Sequence, residues 1–395
     1  MAESAVGSAD RPLTIFIIAA EESGDRLGGA LMQALRQRCD GKVQFAGVGG
    51  PDMAAAGAPS LFPVEPLSIM GFAAIPRRLP LIMRRIREAA SAAIAAHPDV
   101  LVIIDSSGFT HRVARRVRKA APGIPIVDYV CPQVWAWRSG RARVMRSFID
   151  HVLALLPFEP EALERLGGPP CTYVGHPLAE RIDELRANEA EARRRNACPP
   201  LLLVLPGSRR GEVRRLLAPF AATLELVSRR IGSCELVLPT LPHLVDEIRQ
   251  KTAAWSVQPR IICDAAGKLA AFRQARAALA ASGTVTLELA LAAVPTVAAY
   301  RVAPWEAAIA RRVVKVPSAI LANLVLGENT VPEFLQENCV PGALADALVP
   351  LLADSPQRQR QLNGFARLDA LMQIGSGSPS GRAADIVLRA AGRTL

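Results

Sequence analysis

The chain of 395 residues is too long for one typical domain and long enough for two domains with complete hydrophobic cores. Half of the residues are apolar and 21% are charged, which excludes a disordered chain. The 47 Lys and Arg residues against 36 Asp and Glu give a net charge of +11. This basic balance predicts a partner that carries phosphate, whether a nucleotide, a nucleic acid or an anionic lipid.

Cysteine usage and the N-terminal region bear on the compartment. The seven cysteines are scattered, with no CxxC pair and no clustered histidine, which predicts reduced, mostly buried thiols in a cytosolic protein. The first apolar run, Leu13 to Ala20, is short and precedes Glu21 and Glu22. We therefore expect neither an export signal nor a segment that crosses a membrane.

The first half of the chain alternates short apolar runs with helical patterns. The runs predict strands at Leu13–Ala20, Val43–Val48, Val100–Asp105, Ile124–Val130 and Val152–Leu156. Helices are predicted between them, including Asp25–Arg38 and Arg112–Ala121. Continuous apolar strands separated by helices indicate a parallel sheet that is covered on both faces.

A second α/β pattern follows the Glu- and Arg-rich region Glu180–Arg195, which we interpret as a solvated linking helix. Its predicted strands are Leu201–Leu205, Glu235–Leu238, Arg260–Cys263, Ala277–Ala281 and Thr296–Ala299, with a helix at Val213–Arg230 and helices after Pro341. The sequence thus predicts an α/β protein of GT-B type, in which two Rossmann-like domains face a cleft. We expect an N-terminal Rossmann-like domain at 1–185, a C-terminal Rossmann-like domain at 186–355, and C-terminal helices at 356–395 that pack back on the N-terminal domain.

The turn Pro206-Gly207-Ser208-Arg209 follows a predicted strand and opens a predicted helix. Unpaired N–H groups at a helix N-terminus attract anions, and Gly207 would let the backbone approach a phosphate closely. Arg209 adds a guanidinium that can bind a diphosphate through two hydrogen bonds. An ordinary turn with Ser208 as the N-cap fits the same residues equally well.

A second turn of this kind runs from Ser282 to Glu288. It places Ser282, Gly283 and Thr284 at a helix start, and Glu288 one turn later, where its carboxylate could accept both hydroxyls of a ribose. Helix capping with a surface glutamate is the alternative. Two such turns at strand ends of one Rossmann-like domain favour a nucleotide site.

Carboxylates end two predicted strands of the first domain. Glu21 and Ser23 follow the first strand, where a carboxylate could bind sugar hydroxyls or help to deprotonate an acceptor; capping by Ser23 or Asp25 is the alternative. Asp105 ends a strongly apolar strand, and partial burial there would raise its pKa and make it a better general base. Capping of the next helix would also explain Asp105.

Two tryptophans stand beside arginines in the segment that follows the fourth predicted strand. Trp135 and Trp137 could carry a sugar face or an acyl chain while Arg138 and Arg141 meet a phosphate. A core-forming aromatic pair is the alternative.

The segment Leu67–Ala90 mixes apolar side chains, among them Met70 and Phe72, with two Arg-Arg pairs at 77–78 and 84–85. Such a mixture suits a helix that lies in the headgroup region of a membrane. A packed surface helix is the alternative.

The sequence contains no Asp-x-Asp pair and no cluster with metal-ligand spacing. We therefore predict a mechanism without a metal or a cofactor, in which Arg209 and helix N-termini neutralise a leaving diphosphate. His176, in Gly175-His176-Pro177, is predicted to be structural.

Taken in order, these motifs closely resemble the lipid-A-disaccharide synthase family over nearly the whole chain. The matching segments are Glu21–Asp25, Gly47–Pro51, Met70-Gly71, Asp105, Val134–Arg138, Leu156–Glu159, Gly175–Pro177, Pro206–Arg209, Ser282–Glu288 and Asn323 to Gln336. Single pieces such as Gly-Gly turns are common, whereas the combination is highly specific.

The resemblance implies an inverting GT-B glycosyltransferase that works in the cytoplasm, peripherally on the inner face of the bacterial inner membrane, whose anionic surface would be a partner. The donor would be UDP-2,3-diacylglucosamine, bound by the domain at 186–355. The acceptor would be 2,3-diacylglucosamine 1-phosphate, and the domain at 1–185 would bind the acceptor and lipid. The products would be a β-1,6-linked tetraacyl disaccharide 1-phosphate and UDP.

The resemblance also implies roles for single residues. Asp105 matches a candidate base for the acceptor 6-hydroxyl, and Glu21 matches another polar position of the active site. The positions of Arg209, Ser282, Thr284 and Glu288 look like UDP contacts. We group Asn323 and Gln336, which match further polar positions, with the UDP-sugar contacts.

The sequence departs from the family's pattern at two places. Ser107 and Thr110 stand where the family often has Pro and Asn, which puts local acceptor contacts in doubt. Ala322 replaces the Pro before Asn323 and could loosen that loop. Neither change removes a candidate catalytic group.

Two other functions remain open from the sequence. One is another GT-B enzyme that uses UDP-N-acetylglucosamine, either a transferase to a different lipid or an epimerase, and assays of acylated against unacylated donor distinguish it. The other is a non-enzymatic basic protein that binds nucleic acid or membrane. That function leaves the carboxylates and phosphate-type turns at strand ends unexplained, and we expect no nucleic-acid partner.

Overall fold

The computed structural model describes residues 11–64, 75–314, 316–375 and 377–393, without the side chains of 75–78. The chain forms two compact units, passing from the first to the second after Pro177 and returning to the first at Ile374. These divisions differ from the predicted boundaries at 185 and 355. Of the C-terminal helices, only the last belongs to the first unit.

Strands and helices alternate through the first unit, as the apolar runs of the sequence require. In chain order its elements are β1 (Leu13–Ala19), α1 (Glu22–Arg38), β2 (Val43–Val48), α2 (Pro51–Ala55), α3 (Ile75–Ala95), β3 (Val100–Ile104), α4 (Thr110–Ala120), β4 (Ile126–Tyr129), α5 (Gly140–Met145), β5 (His151–Ala154), α6 (Glu159–Arg165) and β6 (Cys171–Tyr173).

The strands of the first unit form one parallel sheet with the order β2-β1-β3-β4-β5-β6. Their side chains alternate between two buried apolar clusters, one on each face of the sheet, because helices cover both faces. The chain winds outward from β1 to β2 and then returns to place β3 on the other side of β1. The ends of β1 and β3 therefore lie at a topological switch point, where α/β proteins bind their ligands.

The second unit repeats this arrangement. Its elements are α7 (Pro177–Glu180), α8 (Ile182–Leu185), α9 (Glu189–Arg195), β7 (Leu201–Leu205), α10 (Arg210–Ile231), β8 (Glu235–Pro239), α11 (Val245–Thr252), β9 (Arg260–Ile262), α12 (Ala265–Gln274), β10 (Ala277–Ala281), α13 (Val285–Leu291), β11 (Thr296–Tyr300), α14 (Pro304–Val313), α15 (Leu321–Leu326), β12 (Glu333–Leu335), α16 (Pro341–Leu352) and α17 (Pro356–Met372). The last helix, α18 (Pro379–Ala390), packs on α1 of the first unit.

The second sheet is also parallel, with the order β12-β11-β10-β7-β8-β9. Here the winding reverses between β7 and β10, so the ends of these two strands form the switch point of the second unit. The turn after β7 and the turn after β10 are the two turns that the sequence singled out. The sheet order thus brings both to one place.

All ten predicted strands are present, and β6 and β12 were missed. Each of these two has only three residues and none of them is fully buried, so neither produces an apolar run. The predicted single linking helix is wrong, because the region is divided into α7, α8 and α9. Asn188 breaks it: its side chain accepts a hydrogen bond from the Glu191 N–H and starts a new helix with a capping box.

All seven cysteines are free, but only Cys131, Cys234 and Cys339 are buried, so the prediction of mostly buried thiols is wrong. Cys198 and Cys263 follow α9 and β9 in exposed loops. Within the described ranges, no helix combines the length and the apolar character that a bilayer span demands.

Candidate active site

Carboxylate and hydroxyl groups meet at the switch point of the first unit. Glu21 follows β1 and Asp105 follows β3, and the Ser106 hydroxyl donates a hydrogen bond of 2.6 Å to Glu21 Oε1. Ser23, at the start of α1, places its hydroxyl 3.5 Å from Asp105 Oδ2. The two predicted catalytic carboxylates and Ser23 therefore belong to one cluster.

The backbone at Asp105 adopts an uncommon conformation. Asp105 and Ser106 have φ values of 51° and 44°, in the left-handed region that costs a non-glycine residue about 1–2 kcal/mol. Hydrogen bonds hold it there: the Asp105 N–H donates to Tyr129 O at 3.0 Å, and the Thr110 hydroxyl donates to Asp105 O at 2.7 Å. Such locally strained backbone is concentrated at functional sites.

The pKa of Asp105 is raised, as the sequence led us to expect. Burial is the main cause; the Ser106 N–H, which donates to Asp105 Oδ1 at 2.7 Å, opposes it. The negative charges of Glu21 and Asp128 raise the pKa further, and the Ser23 hydroxyl lowers it. A carboxyl group with a raised pKa is a stronger base when ionised, which suits it to accept a proton from a hydroxyl.

Asp25 has a structural role in the same turn. Its buried carboxylate accepts hydrogen bonds from the N–H groups of Gly50, Asp52 and Met53 at 2.7, 2.9 and 3.1 Å. It caps α2 rather than its own helix. A Cβ on Gly50 would lie 2.6 Å from Asp25 Oδ2, which explains a glycine at this position.

The two tryptophans of the 135–141 segment have different environments. Trp135 packs on the core, lies edge-to-face with Phe158 at 4.9 Å, and donates its indole N–H to Glu159 Oε1 at 3.2 Å. Trp137 is exposed, and the Arg138 guanidinium lies 4.5 Å from the centre of its ring. Trp137 and Arg138 are therefore open to a ligand, whereas Trp135 is engaged in packing.

From the sequence, Glu159 was named only as the end of the matching segment Leu156–Glu159, without a role. It is buried, and its Oε2 also accepts hydrogen bonds from the N–H groups of Leu155 and Leu156 at 3.1 and 2.9 Å. Burial raises its pKa to about 7, although these hydrogen bonds oppose the shift. Glu159 therefore fixes the Trp135 indole to the end of β5, a role that depends on burial and that the matching segment alone did not indicate.

At the switch point of the second unit, the turn after β7 encloses a carboxylate. Glu212 Oε2 accepts hydrogen bonds from the N–H groups of Ser208 and Arg209 at 3.2 and 3.3 Å, and the Tyr300 hydroxyl donates to its Oε1 at 3.4 Å. The expectation of unpaired N–H groups in this turn is therefore wrong. The N-cap is Arg209 rather than Ser208, and the cap consists of the Glu212 carboxylate, which accepts from the Arg209 N–H, since a guanidinium cannot accept a hydrogen bond.

Gly207 is required by this arrangement. Its φ is 112°, and a Cβ would lie 2.5 Å from Glu212 Oε2. The missing side chain thus makes room for the capping carboxylate. Arg209 remains available for a ligand, because its side chain is 69% exposed and its only carboxylate contact in the described ranges is Glu212 at 3.5 Å.

The turn after β10 brings the other predicted UDP contacts to the neighbouring strand end. Ser282 donates its hydroxyl to Glu333 Oε1 at 3.3 Å, while Gly283 and Thr284 are exposed. Glu288, one turn into α13, is partly buried and forms an ion pair with Lys268. Its carboxylate is thus held by a cation that the sequence analysis did not single out, and Lys268 lies in the same region as the ribose contact expected of Glu288.

Asn323 and Gln336 hold loops beside this turn. Asn323 is buried; its amide donates to Val331 O and accepts from the Val331 N–H, both at 2.9 Å. Gln336 Oε1 accepts from the Val302 N–H at 3.4 Å, next to the end of β11. Gln336 thus lies just after β12, whereas Asn323 lies within α15 and joins that helix to Ser318 and Val331.

Met70 and Phe72 lie outside the described residues. In the described part of Leu67–Ala90, Ile82 and Ile86 are buried in the core of the first unit. Arg84 is exposed, and Arg85 pairs with Glu88 at 2.7 Å. Leu79 is exposed, but from residue 81 onward α3 packs its apolar side chains against the core.

Solved structures with the same architecture define the class. The S. aureus MnaA–UDP co-structure aligns with a TM-score of 0.62 at 10% identity, covering 96% of this chain and 97% of that chain. The glycotransferase of kitacinnamycin aligns with a TM-score of 0.61 at 18% identity, covering 96% and 99%. At these identities the likeness concerns the fold, which is the GT-B fold of two Rossmann-like units.

The family follows from the sequence comparisons. The family described as Lipid-A-disaccharide synthetase matches residues 15–387. The lipid-A-disaccharide synthase of Nitrobacter winogradskyi is 63% identical over 383 residues, which are 97% of each chain, and that of Rhodospirillum centenum is 46% identical over 96% of this chain and 94% of its own. The chain belongs to the lipid-A-disaccharide synthase family: it is a UDP-sugar-dependent hexosyltransferase of lipid A biosynthesis.

Proposed function

We propose that the chain transfers 2,3-diacylglucosamine from UDP-2,3-diacylglucosamine to 2,3-diacylglucosamine 1-phosphate by one direct displacement, with Asp105 as the general base. The observation that carries this proposal is the Asp105 carboxyl, with its raised pKa, at the switch point of the first unit. Asp105 removes the proton of the acceptor 6-hydroxyl as its oxygen bonds to the anomeric carbon. The bond from that carbon to the diphosphate oxygen breaks, UDP leaves, and the configuration inverts.

Glu21 and Ser23 assist Asp105. The Glu21 carboxylate accepts from Ser106 and its charge favours the protonated form of Asp105. Glu21 therefore helps Asp105 to retain the proton that it receives. Ser23, within 3.5 Å of the Asp105 carboxylate, positions it or contacts the acceptor.

The second unit holds the UDP moiety of the donor. The exposed Arg209 guanidinium binds the diphosphate and stabilises the charge that develops on it as the sugar leaves. Ser282, Gly283 and Thr284 line the adjacent strand end, and Glu288 binds the ribose hydroxyls. Gln336 contacts the donor from the end of β12, and Asn323 keeps the neighbouring loop in place.

The acyl chains of both substrates require access to a membrane surface. On this proposal the segment Leu67–Ala90, which carries Met70, Phe72 and two Arg-Arg pairs, contacts the membrane. Helix α14 of the second unit is a further candidate for contact with lipid, considered by itself. Trp305 and Ile309 of α14 are 56% and 55% exposed, and the exposed Arg312 lies one turn further on. Exposed aromatic and aliphatic side chains beside arginine suit an anionic lipid surface.

Steady-state kinetics with acylated donor and acceptor test the assignment of the two switch points. Asp105→Asn, which keeps the shape but not the basicity of the side chain, should lower kcat by about 10²- to 10⁴-fold. Arg209→Ala should lower kcat/KM for the donor by about 10- to 100-fold, because it removes a charge-assisted contact to the diphosphate.

Arg210→Ala is the matched control, since Arg210 is the exposed neighbour of Arg209 and contacts Glu247. It should leave both constants close to those of the unmodified enzyme. A near-normal kcat of the Asp105→Asn enzyme would show that Asp105 is not the general base. Equal effects of the Arg209 and Arg210 substitutions on kcat/KM would show that Arg209 does not bind the donor specifically.

A further inference from the structure

Three arginines from two helices and the loop between β4 and α5 gather beside the Asp105 loop. Arg141, at the start of α5, points Nη2 to the Ser107 hydroxyl at 3.4 Å, two residues after Asp105. The Arg138 guanidinium lies over the Trp137 ring, and that of Arg115, on α4, lies over the Phe148 ring at 4.6 Å. The aromatic rings fix the planes of two guanidiniums without neutralising them.

The guanidiniums of Arg138 and Arg115 act electrostatically on Arg141. The pKa of Arg141 is lowered, first by burial and then by the positive charges of Arg138 and Arg115. The one opposing charge is Asp128, a buried carboxylate that shares a hydrogen bond of 2.9 Å with His111. Within the described ranges, none of the three arginines forms an ion pair with a carboxylate, although most other arginines of this basic chain do.

We propose that Arg115, Arg138 and Arg141 form a binding subsite for the phosphomonoester of the acceptor. The inference rests on the proposed function and deepens it, because it assigns the acceptor's charged group to particular side chains. Three guanidiniums without a paired carboxylate present positive charge to a ligand, and a phosphomonoester carries a charge of about −1.5 to −2 at neutral pH. Guanidinium groups also match the geometry of phosphate oxygens through paired hydrogen bonds.

The position of the subsite gives it a function in orientation. Arg141 touches Ser107, and the same loop carries Asp105, so a sugar whose phosphate is held by the arginines lies with its body against that loop. Holding one end of the acceptor in this way brings its free hydroxyl toward the base, which is the usual source of rate from positioning. Ser107, where the family often has Pro, supplies a hydroxyl that fixes Arg141.

The test compares two acceptors that differ only in the phosphate: 2,3-diacylglucosamine 1-phosphate and 2,3-diacylglucosamine, both in neutral detergent without anionic lipid. For the unmodified enzyme, we expect kcat/KM to be higher with the phosphorylated acceptor. Arg141→Ala should lower kcat/KM for the phosphorylated acceptor by about 10- to 100-fold. For the unphosphorylated acceptor the change should be less than about threefold, so that the preference for phosphate is lost.

Arg115→Ala and Arg138→Ala provide second variants in case Arg141, which is partly buried, is needed for folding. Arg143→Ala is the matched control, because Arg143 lies on the same helix and packs against Gly167 instead. The control should keep the full preference for the phosphorylated acceptor. Added inorganic phosphate should inhibit the unmodified enzyme more strongly than the Arg141 variant if the subsite recognises phosphate itself.

Three different results would overturn the inference, and they are distinguishable. Equal losses with both acceptors in all three variants would show that the arginines do not read the phosphate, while transfer itself, and hence the proposed function, would stand. No transfer by the unmodified enzyme to either acceptor would overturn the proposed function and the subsite together. A phosphate-independent loss that appears only on vesicles with anionic lipid would assign the cluster to the membrane.

Discussion

At Asp105, burial and two neighbouring carboxylates favour the protonated form, and hydrogen bonds from Ser106 and Ser23 favour the ionised form. The effect of burial and of the two carboxylates is stronger than that of the hydrogen bonds, so the pKa of Asp105 lies above its ordinary value. The sequence predicted this direction, because a carboxyl at the end of a buried strand is partly desolvated. It did not predict the contribution of Glu21, which depends on a loop conformation with two consecutive left-handed residues.

Glu21→Gln should therefore move the acidic limb of the pH–kcat profile to lower pH. Removal of the negative charge takes away one of the influences that raise the pKa of Asp105, and the base stays ionised in more acidic solution. The amide preserves an acceptor for the Ser106 hydroxyl. The measurement is kcat against pH for both enzymes; a limb that does not move would show that Glu21 does not act on the titrating base.

Glu159 gives a prediction about stability. Its pKa is about 7 in the folded protein, against 4.5 for an ordinary glutamate, so the folded state binds the proton more tightly than the unfolded chain. Its contribution to stability is fully present below the ordinary value and is lost as the pH rises through about 7. The loss amounts to at most about 3 kcal/mol.

The free energy of unfolding, measured by denaturant titration from about pH 5 to about pH 8, checks this expectation. The unmodified protein should lose stability relative to Glu159→Gln as the pH rises, because the amide does not titrate. A constant difference between the two proteins across this range would contradict a raised pKa at Glu159.

At the scale of elements, the parallel strands and most of the long helices could be predicted from the sequence. Apolar runs and helical periodicity indicate which side chains are buried, and the spacing of the buried side chains distinguishes a strand from a helix. The turns were harder. That Gly207 and Arg209 begin a helix was visible, but the Glu212 carboxylate already engages the N–H groups there, and this depends on side-chain geometry. Strands β6 and β12 were also too short to produce a recognisable apolar run.

The two glycines of the predicted phosphate turns should respond differently to alanine. Gly207→Ala places a Cβ 2.5 Å from Glu212 Oε2 at a φ of 112°, and we expect it to destabilise the protein by about 1–3 kcal/mol. Gly283→Ala, with no atom within 4 Å of the added Cβ, should change stability by less than about 0.5 kcal/mol. Denaturant titration of both variants measures the difference, and similar stabilities would contradict the capping role of Glu212.

On the scale of the whole molecule, each unit places its predicted residues at its own switch point, and the sheet orders explain why. Carboxylates end β1 and β3 in the first unit, and the two turns with hydroxyl and arginine side chains end β7 and β10 in the second. Strand order cannot be derived from the positions of apolar runs, so the residues of each cluster could be predicted from the sequence, but their adjacency could not. The resemblance to a family supplied the substrates and the roles of single residues, which the pattern of elements alone did not indicate.

The basic surface leads to a prediction about membranes. Binding to vesicles with anionic lipid should be salt-sensitive, and replacing Arg77, Arg78, Arg84 and Arg85 with Glu should abolish it, because like charges repel. The charge-matched control changes four exposed arginines that form helical ion pairs elsewhere, namely Arg165, Arg193, Arg229 and Arg249. Cosedimentation measures the bound fraction. Equal losses in both quadruple variants would show that binding depends on net charge and not on the arginines of Leu67–Ala90.

The structure of the reaction product tests the central claim most directly. Mass and NMR analysis of the product from UDP-2,3-diacylglucosamine and 2,3-diacylglucosamine 1-phosphate should show one tetraacyl disaccharide 1-phosphate with a β-1,6 linkage, formed with one UDP for each disaccharide. That result is what a single displacement, with Asp105 as the base and UDP as the leaving group, requires. An α linkage would contradict the direct displacement, and an epimerised UDP-sugar without a disaccharide would contradict the transfer itself.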